Sequence, residues 1–133
     1  MTKRLGIGMV GSGFNAKFHL LGFVGVRDAD VLGVWSPNQN NAAETAGIAK
    51  KLGVGDAKPY PSIAAMVEDP AIDAIWLSGP NFARIENVEE IVSTVERGKG
   101  QLLGIACEKP LARNVTEATR VLELGRASCR ERV

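Results

Sequence analysis

No apolar run in this sequence approaches the ~20 residues that a helical membrane span needs, so no membrane-embedded role is expected. Neither sign of charge is in excess. Lys and Arg number 16 and Asp and Glu 15, a net charge of +1 spread along the chain. No basic surface for nucleic acid is expected from that balance. Cysteine is scarce: Cys107 and Cys129 stand at no metal-ligand or redox spacing. Both are read as reduced thiols, and no metal site is expected. Histidine occurs once, at His19. Internal repeats and low-complexity stretches are lacking. Met1 to Arg4 runs straight into an apolar segment with no signal-peptide pattern, and a cytoplasmic location is expected. The 133 residues suffice for one ordinary domain with a core.

What is present begins at Leu5. Leu5-Gly6-Ile7-Gly8-Met9-Val10 reads as a strand, Gly11-Ser12-Gly13 as a turn, and Phe14-Asn15-Ala16 as the opening of a helix. This is the layout of the G-x-G-x-x-G/A dinucleotide fingerprint. Gly11 would permit the tight turn. Gly13 would let a pyrophosphate approach the backbone. Ala16 would let the helix lie close to the strand. Phosphates would sit on the helix N-terminus, where unpaired N–H groups and the positive dipole end meet them. The string alone is weak, since glycine turns between strand and helix are common. Its position at the head of an alternating chain gives it weight.

Five strand signals alternate with helix signals. The strands are expected at 4–10, 31–35, 58–60, 72–78 and 102–107, and the helices at 14–24, 41–52, 63–68, 81–97 and 115–124. In the first helix Phe14, Phe18, Leu21 and Val24 form an apolar stripe, taken as the inner face. In the fourth, Phe82, Ile85, Val88, Ile91 or Val92, and Val95 do the same, with Glu86, Glu89, Glu90 and Glu96 facing water. Gly53 closes the second helix, Ser62 caps the third and Asn114 the last. The glycosylation sequon Asn114-Val115-Thr116 is therefore read as a cap. Short loops between alternating elements imply parallel strands with right-handed crossovers. The expected fold is α/β, a doubly wound open parallel sheet of Rossmann type in a single domain over residues 1–124. Residues 125–133 break the helical pattern and read like translated sequencing adapter. They are expected to be a non-native tail and are set aside, the alternative being a genuine basic tail.

In such sheets ligands bind beyond the C-terminal ends of the strands. Four segments gather on that edge. The first is Gly11–Ala16. The second, Trp35-Ser36-Pro37-Asn38, follows the strand where NAD-selective sites place an acid on the ribose 2′-OH. Ser36 stands there without a carboxylate, and no arginine follows to pair a 2′-phosphate. The choice between NAD and NADP leans slightly to NADP. The third is Ser78-Gly79-Pro80-Asn81, where a cofactor ribose or nicotinamide would pass. Ser78 and Pro80 are candidate contacts, and Asn81 is read first as a helix cap. The fourth is Glu108-Lys109-Pro110. A lysine at the end of a buried strand sits where water is sparse, which lowers an ammonium pKa and suits donation to a hydroxyl. Pro110 would hold Lys109 extended and so aim it. An ordinary surface Glu-Lys pair is the competing reading. His19 is read as structural, and Cys107 as a small buried apolar residue.

Taken together, these residues resemble the N-terminal domain of the Gfo/Idh/MocA oxidoreductase family. The resemblance covers roughly Arg4 to Leu124. It rests on Gly11-x-Gly13-x-x-Ala16-x-x-His19, Gly79-Pro80-Asn81 and Ala106-Cys107-Glu108-Lys109-Pro110-Leu111-Ala112. It implies hydride transfer between NAD or NADP and a hydroxyl carbon of a sugar, inositol or related polyol. It implies Lys109 as the catalytic residue that contacts substrate or nicotinamide ribose and assists proton movement, and a homo-oligomer at full length. Cofactor contacts are expected from Gly11, Ser12, Gly13, Phe14, Asn15, Ala16, Ser36, Ser78, Pro80, Asn81, Glu108 and Lys109. Two departures stand out. The family often has histidine three residues after its Pro-Asn, where this chain has Arg84. The family's second α/β domain, which forms the substrate pocket, is absent here, so the chain alone is expected to be inactive. A non-catalytic nucleotide-sensing module and a CoA-binding module are the rival readings.

Overall fold

The computed structural model describes residues 3–128. Strand and helix alternate as β1 (Leu5–Val10), α1 (Phe14–Phe23), β2 (Ala29–Trp35), α2 (Gln39–Leu52), β3 (Lys58–Pro59), α3 (Ile63–Glu68), β4 (Ala74–Leu77), α4 (Arg84–Glu96), β5 (Gly104–Cys107) and α5 (Val115–Ser128). A 3-10 turn at Asn81–Ala83 leads into α4. All strand pairings are parallel, in the order β3-β2-β1-β4-β5. β1 lies at the centre, buried from Gly6 to Val10, as a strand covered on both faces must be.

The two faces of the sheet carry separate cores. On one, Ala16, Leu20 and Phe23 of α1 and Ala42, Ala46 and Ala49 of α2 pack on Ile7, Met9, Val31 and Val34. On the other, Ile63, Met66 and Val67 of α3, Val88, Ile91 and Val92 of α4, and Val121 and Leu124 of α5 pack on Val10, Ile75 and Leu77. This is the expected doubly wound sheet of Rossmann type.

Local chemistry sets several element ends, at Gly53, Ser62 and Asn114 as expected, and at Asn38 in a segment read as loop, so that α2 starts at Gln39 rather than Asn41. Asn38 Oδ1 accepts the N–H groups of Asn40 and Asn41 at the start of α2, at 2.9 and 3.2 Å. Ser62 Oγ accepts the N–H of Ala65 in α3 at 3.0 Å. Asn114 Oδ1 accepts the N–H of Glu117 in α5 at 2.9 Å. Gly53 ends α2 in the left-handed conformation.

Four expectations need correction. The inner face of α1 is Ala16, Leu20 and Phe23, whereas Phe14 and Phe18 are 80% and 62% exposed and Leu21 and Val24 also face out. Two apolar stripes run along this helix, and the 3.6-residue period does not choose between them. The fingerprint does, because Ala16 must face β1 for the helix to lie close. Phe82 lies in the 3-10 turn before α4 and is exposed, and the buried side of α4 includes Arg84 and Thr94. Glu90 does not simply face water: its carboxylate accepts the N–H of Ala64 at 2.7 Å, at the start of α3. α5 continues past Leu124 through Ser128, so Gly125 does not end it. Cys129 and residues 130–133 lie outside the described residues.

Candidate functional site

Strand order reverses at β1, between β2 and β4, and a crevice opens at that switch point. A groove of about 780 Å³ occupies it, within the range of cofactor-sized sites. Its floor is the turn after β1. Gly11 has φ +120°, and a Cβ there would lie 3.0 Å from Gly79 N and Ser78 Oγ. Glycine alone satisfies both the backbone and the close approach of the β4 end. Gly13 is different: a Cβ there would meet nothing within 4 Å, so the space above it is open groove. No side chain caps α1 at Gly13. The first N–H groups of the helix are thus free of intrahelical and side-chain cap partners, the arrangement that receives phosphate.

Gly11, Ser12, Gly13, Phe14 and Asn15 all line the groove, with Ser36 at the β2 end and Ser78 and Pro80 at the β4 end. Ala16 does not. It is fully buried against the sheet and sets how closely α1 approaches. Ser12 Oγ and Ser36 Oγ are hydrogen-bonded at 2.7 Å, joining the glycine turn to the end of β2. Ser36 is only 5% exposed, so its hydroxyl does not project freely toward a ribose. Ser78 Oγ donates to the carbonyl of Val10 at 3.0 Å, which ties β4 to β1 under the groove.

Asn81 neither lines the groove nor caps a helix: Pro80 occupies the cap position of the 3-10 turn and Ala83 that of α4, without side-chain bonds. The groove wall there is made instead by Phe82, Ala83, Glu86 and Asn87, which were not among the expected contacts. The signal that could have found them is positional. A helix that starts on the ligand edge must wall the crevice with its first turn.

Glu108 and Lys109 stand outside the groove lining. Glu108 is held at each of its polar groups. Its N–H donates to the carbonyl of Leu77 at 2.8 Å, and its carbonyl accepts from Arg84 Nη1 at 2.5 Å. One carboxylate oxygen meets His19 Nε2 at 2.6 Å, and the other accepts the Lys109 N–H at 3.2 Å. The hydrogen bond from His19 holds the Glu108 carboxyl below its ordinary pKa. His19 in turn lies against Trp76, ring centroids 5.1 Å apart. Lys109 is exposed and joined to Pro110 by a cis peptide bond. The dry setting expected for its amine is not present, because β5 is the edge of the sheet and the turn after it opens to solvent.

The amino-acid sequence matches the model of an oxidoreductase family with an NAD-binding Rossmann fold over residues 5–130. The chain belongs to the Gfo/Idh/MocA oxidoreductase family. The match passes the domain end expected at Leu124. Inositol 2-dehydrogenase 3 of Saccharopolyspora erythraea is 31% identical over 126 residues, 92% of this chain and 32% of the relative. The structure of myo-inositol dehydrogenase from Lactobacillus casei, in complex with NAD(H) and myo-inositol, superimposes with a TM-score of 0.71 at 22% identity, covering 91% of this chain and 33% of that one. A 3-ketoreductase from Actinomadura kijaniata, in complex with NADP and TDP-benzene, does so with 0.71 at 18% identity, covering 93% and 34%. The chain thus spans about a third of the length of these Gfo/Idh/MocA proteins. Among the described residues no helix is long and apolar enough to cross a membrane, and no cluster of metal-ligating side chains occurs.

Arg84, three residues after Asn81, opens α4. It is 1% exposed. Its Nη1 and Nη2 donate to the carbonyls of Glu108 and Gly79, at 2.5 and 2.9 Å. Its Nε has no partner. Taking a guanidinium out of water costs several kcal/mol, and charge-assisted hydrogen bonds offset about 1.5–3 kcal/mol each. Arg84 therefore staples the β4–α4 turn to the turn after β5, its two hydrogen bonds offsetting a cost of similar size. Burial pushes the neighbouring Cys107 thiol up, and the guanidinium draws it part of the way back.

Proposed function

We propose that this NAD-binding domain is the cofactor half of a dehydrogenase that uses NAD or NADP, with a slight lean to NADP. Its substrate carries the reacting hydroxyl on a sugar, inositol or related polyol carbon. The observation that carries the cofactor reading is the open space over Gly13, at an uncapped helix start in the switch-point crevice. Residues Gly11–Asn15 would hold the diphosphate, with the end of β2 beside one ribose and Ser78–Pro80 beside the other half of the molecule. A bound nicotinamide supplies the acceptor or donor of hydride. Lys109 would hold the substrate hydroxyl and help move its proton, with Glu108 and His19 fixing the turn from which it projects. The polyol class follows from the inositol dehydrogenases among its relatives and neighbours. The lean to NADP follows from the lack of a carboxylate after β2. Hydride transfer needs the hydroxyl positioned and water excluded, and Lys109 in this chain is open to solvent. The chain by itself is therefore proposed not to turn over, and the full-length protein to be a homo-oligomer.

Gly13→Val tests the cofactor reading. The branched side chain would enter open groove and touch no protein atom at its Cβ, so the fold should persist while calorimetric titration with NAD and NADP shows binding lost. Binding equal to the parent's would make the turn structural only.

A further inference from the structure

The buried charge of Arg84 has no counter-ion. Its partners are carbonyl oxygens, and it joins none of the ion pairs among the described residues. It also stands directly behind the groove. Gly79, whose carbonyl it grips, lines the groove, as do Ala83 next to it in sequence and Phe82. In a dinucleotide fingerprint the end of β2 takes the adenosine ribose and the glycine turn the diphosphate. The nicotinamide half is left with the end lined by Ser78, Gly79, Pro80 and the start of α4. A full positive charge therefore lies one residue deep behind the nicotinamide end, in a position that water reaches hardly at all.

Two carboxylates belong to the segments around Arg84: Glu86, two residues on in α4, and Glu108, whose carbonyl it bonds. Glu86 lines the groove but is exposed, so solvent screens it. Glu108 is part-buried, and its carboxylate is engaged by His19. Neither faces the guanidinium through a hydrogen bond, so the cation is the least screened charge at this end of the site.

We propose that Arg84 makes the nicotinamide end of the groove discriminate between the two redox forms of the cofactor, holding the reduced ring more tightly than the oxidised one. The oxidised nicotinamide ring carries a positive charge and the reduced ring none. Repulsion from a buried cation falls on the oxidised form alone and is strong where the dielectric is low. By linkage, tighter binding of the reduced form shifts the bound couple toward reduction. The inference rests on the dinucleotide reading above. It gives Arg84 a consequence beyond joining two turns: a purely structural staple would change both affinities together.

The test uses the 133-residue chain and calorimetric titration with NAD+, NADH, NADP+ and NADPH. The parent is expected to bind the reduced form of a given dinucleotide about tenfold or more tightly than the oxidised form, the size expected of a partly screened unit charge. Arg84→Gln should bring that ratio several-fold nearer to one. Arg84→Lys, which keeps the charge and loses the fork, should retain most of it. Each ratio comes from one preparation, so an unfolded fraction cancels. If Arg84→Gln fails to melt cooperatively, Arg84→Met carries the comparison, since an apolar chain suits a buried site in place of an ion. A parent with equal affinity for both forms, or a neutral variant with the parent's ratio, overturns the role of Arg84 alone. A parent that binds none of the four overturns the proposed function itself, and this inference with it.

Discussion

His19 and Glu108 lie 89 positions apart in the chain and meet at 2.6 Å, Nε2 to Oε2. The contact joins the middle of α1 to the turn after β5, across the sheet edge where the groove opens. His19→Ala should release the carboxylate, and the Glu108 carboxyl should then titrate nearer its ordinary range, since the histidine hydrogen bond is the largest influence holding it down. NMR titration of the Glu108 carboxyl carbon measures this. An unchanged titration would show that the contact does not form in solution.

Lys109 projects from the turn that this pair fixes. In the proposed full-length enzyme, Lys109→Ala or Lys109→Met should lower kcat by roughly 10²-fold or more, the scale of a positioned acid–base group. Cofactor affinity should change far less, because Lys109 does not line the groove. A steady-state assay with a polyol substrate reads both quantities, and near-parent kcat in Lys109→Ala would take this residue out of the mechanism.

Cofactor choice can be probed at Ser36. A carboxylate there would repel a 2′-phosphate and leave NAD less affected, so Ser36→Asp should weaken NADP about tenfold more than NAD. The substitution also replaces a hydroxyl that is 5% exposed and bonded to Ser12 Oγ, so some loss of both affinities is expected beside the difference. Equal losses would mean that the end of β2 does not meet the ribose.

Tyr60 donates its hydroxyl to Asp69 Oδ2 at 2.5 Å. That bond is the largest influence lowering the Asp69 pKa, while burial first, then Asp69, pushes the tyrosine up. Tyr60→Phe should cost about 1 kcal/mol at pH 7, the usual net worth of such a bond. The sign with pH follows from linkage. A carboxyl lowered in the folded state gives stability that is present above its unfolded pKa and lost as pH falls through the folded one. The gap between parent and variant should therefore narrow below about pH 4. Urea denaturation at pH 7 and pH 3 reads it, and a gap that widens toward acid would contradict the assignment.

Much of the fold was legible because it is written in local periods. Strand runs, helical stripes and short loops gave the alternation and the parallel sheet. Asn38, though read as loop, Ser62 and Asn114 each act on backbone N–H groups two or three residues on. The glycine turn was legible for a related reason. Gly11 answers to its own φ, and Gly13 to the empty space beside its own backbone.

The rest depended on what lies across the sheet. Local period allowed α1 either of two apolar faces, and packing against β1 selected the one containing Ala16. His19 looks like a lone histidine until the fold carries Glu108 to it. Arg84 reads as a polar residue at a helix start, yet the meeting of the β4 and β5 ends buries it and supplies two carbonyls as its partners. Lys109 was expected in a dry site because a buried strand precedes it. In the structure β5 is the sheet edge, and the turn is open to solvent. The sequence by itself determined which elements form and at which edge of the sheet the groove lies. Tertiary structure decided which side chains meet there, because contacts between residues dozens of positions apart follow no local period.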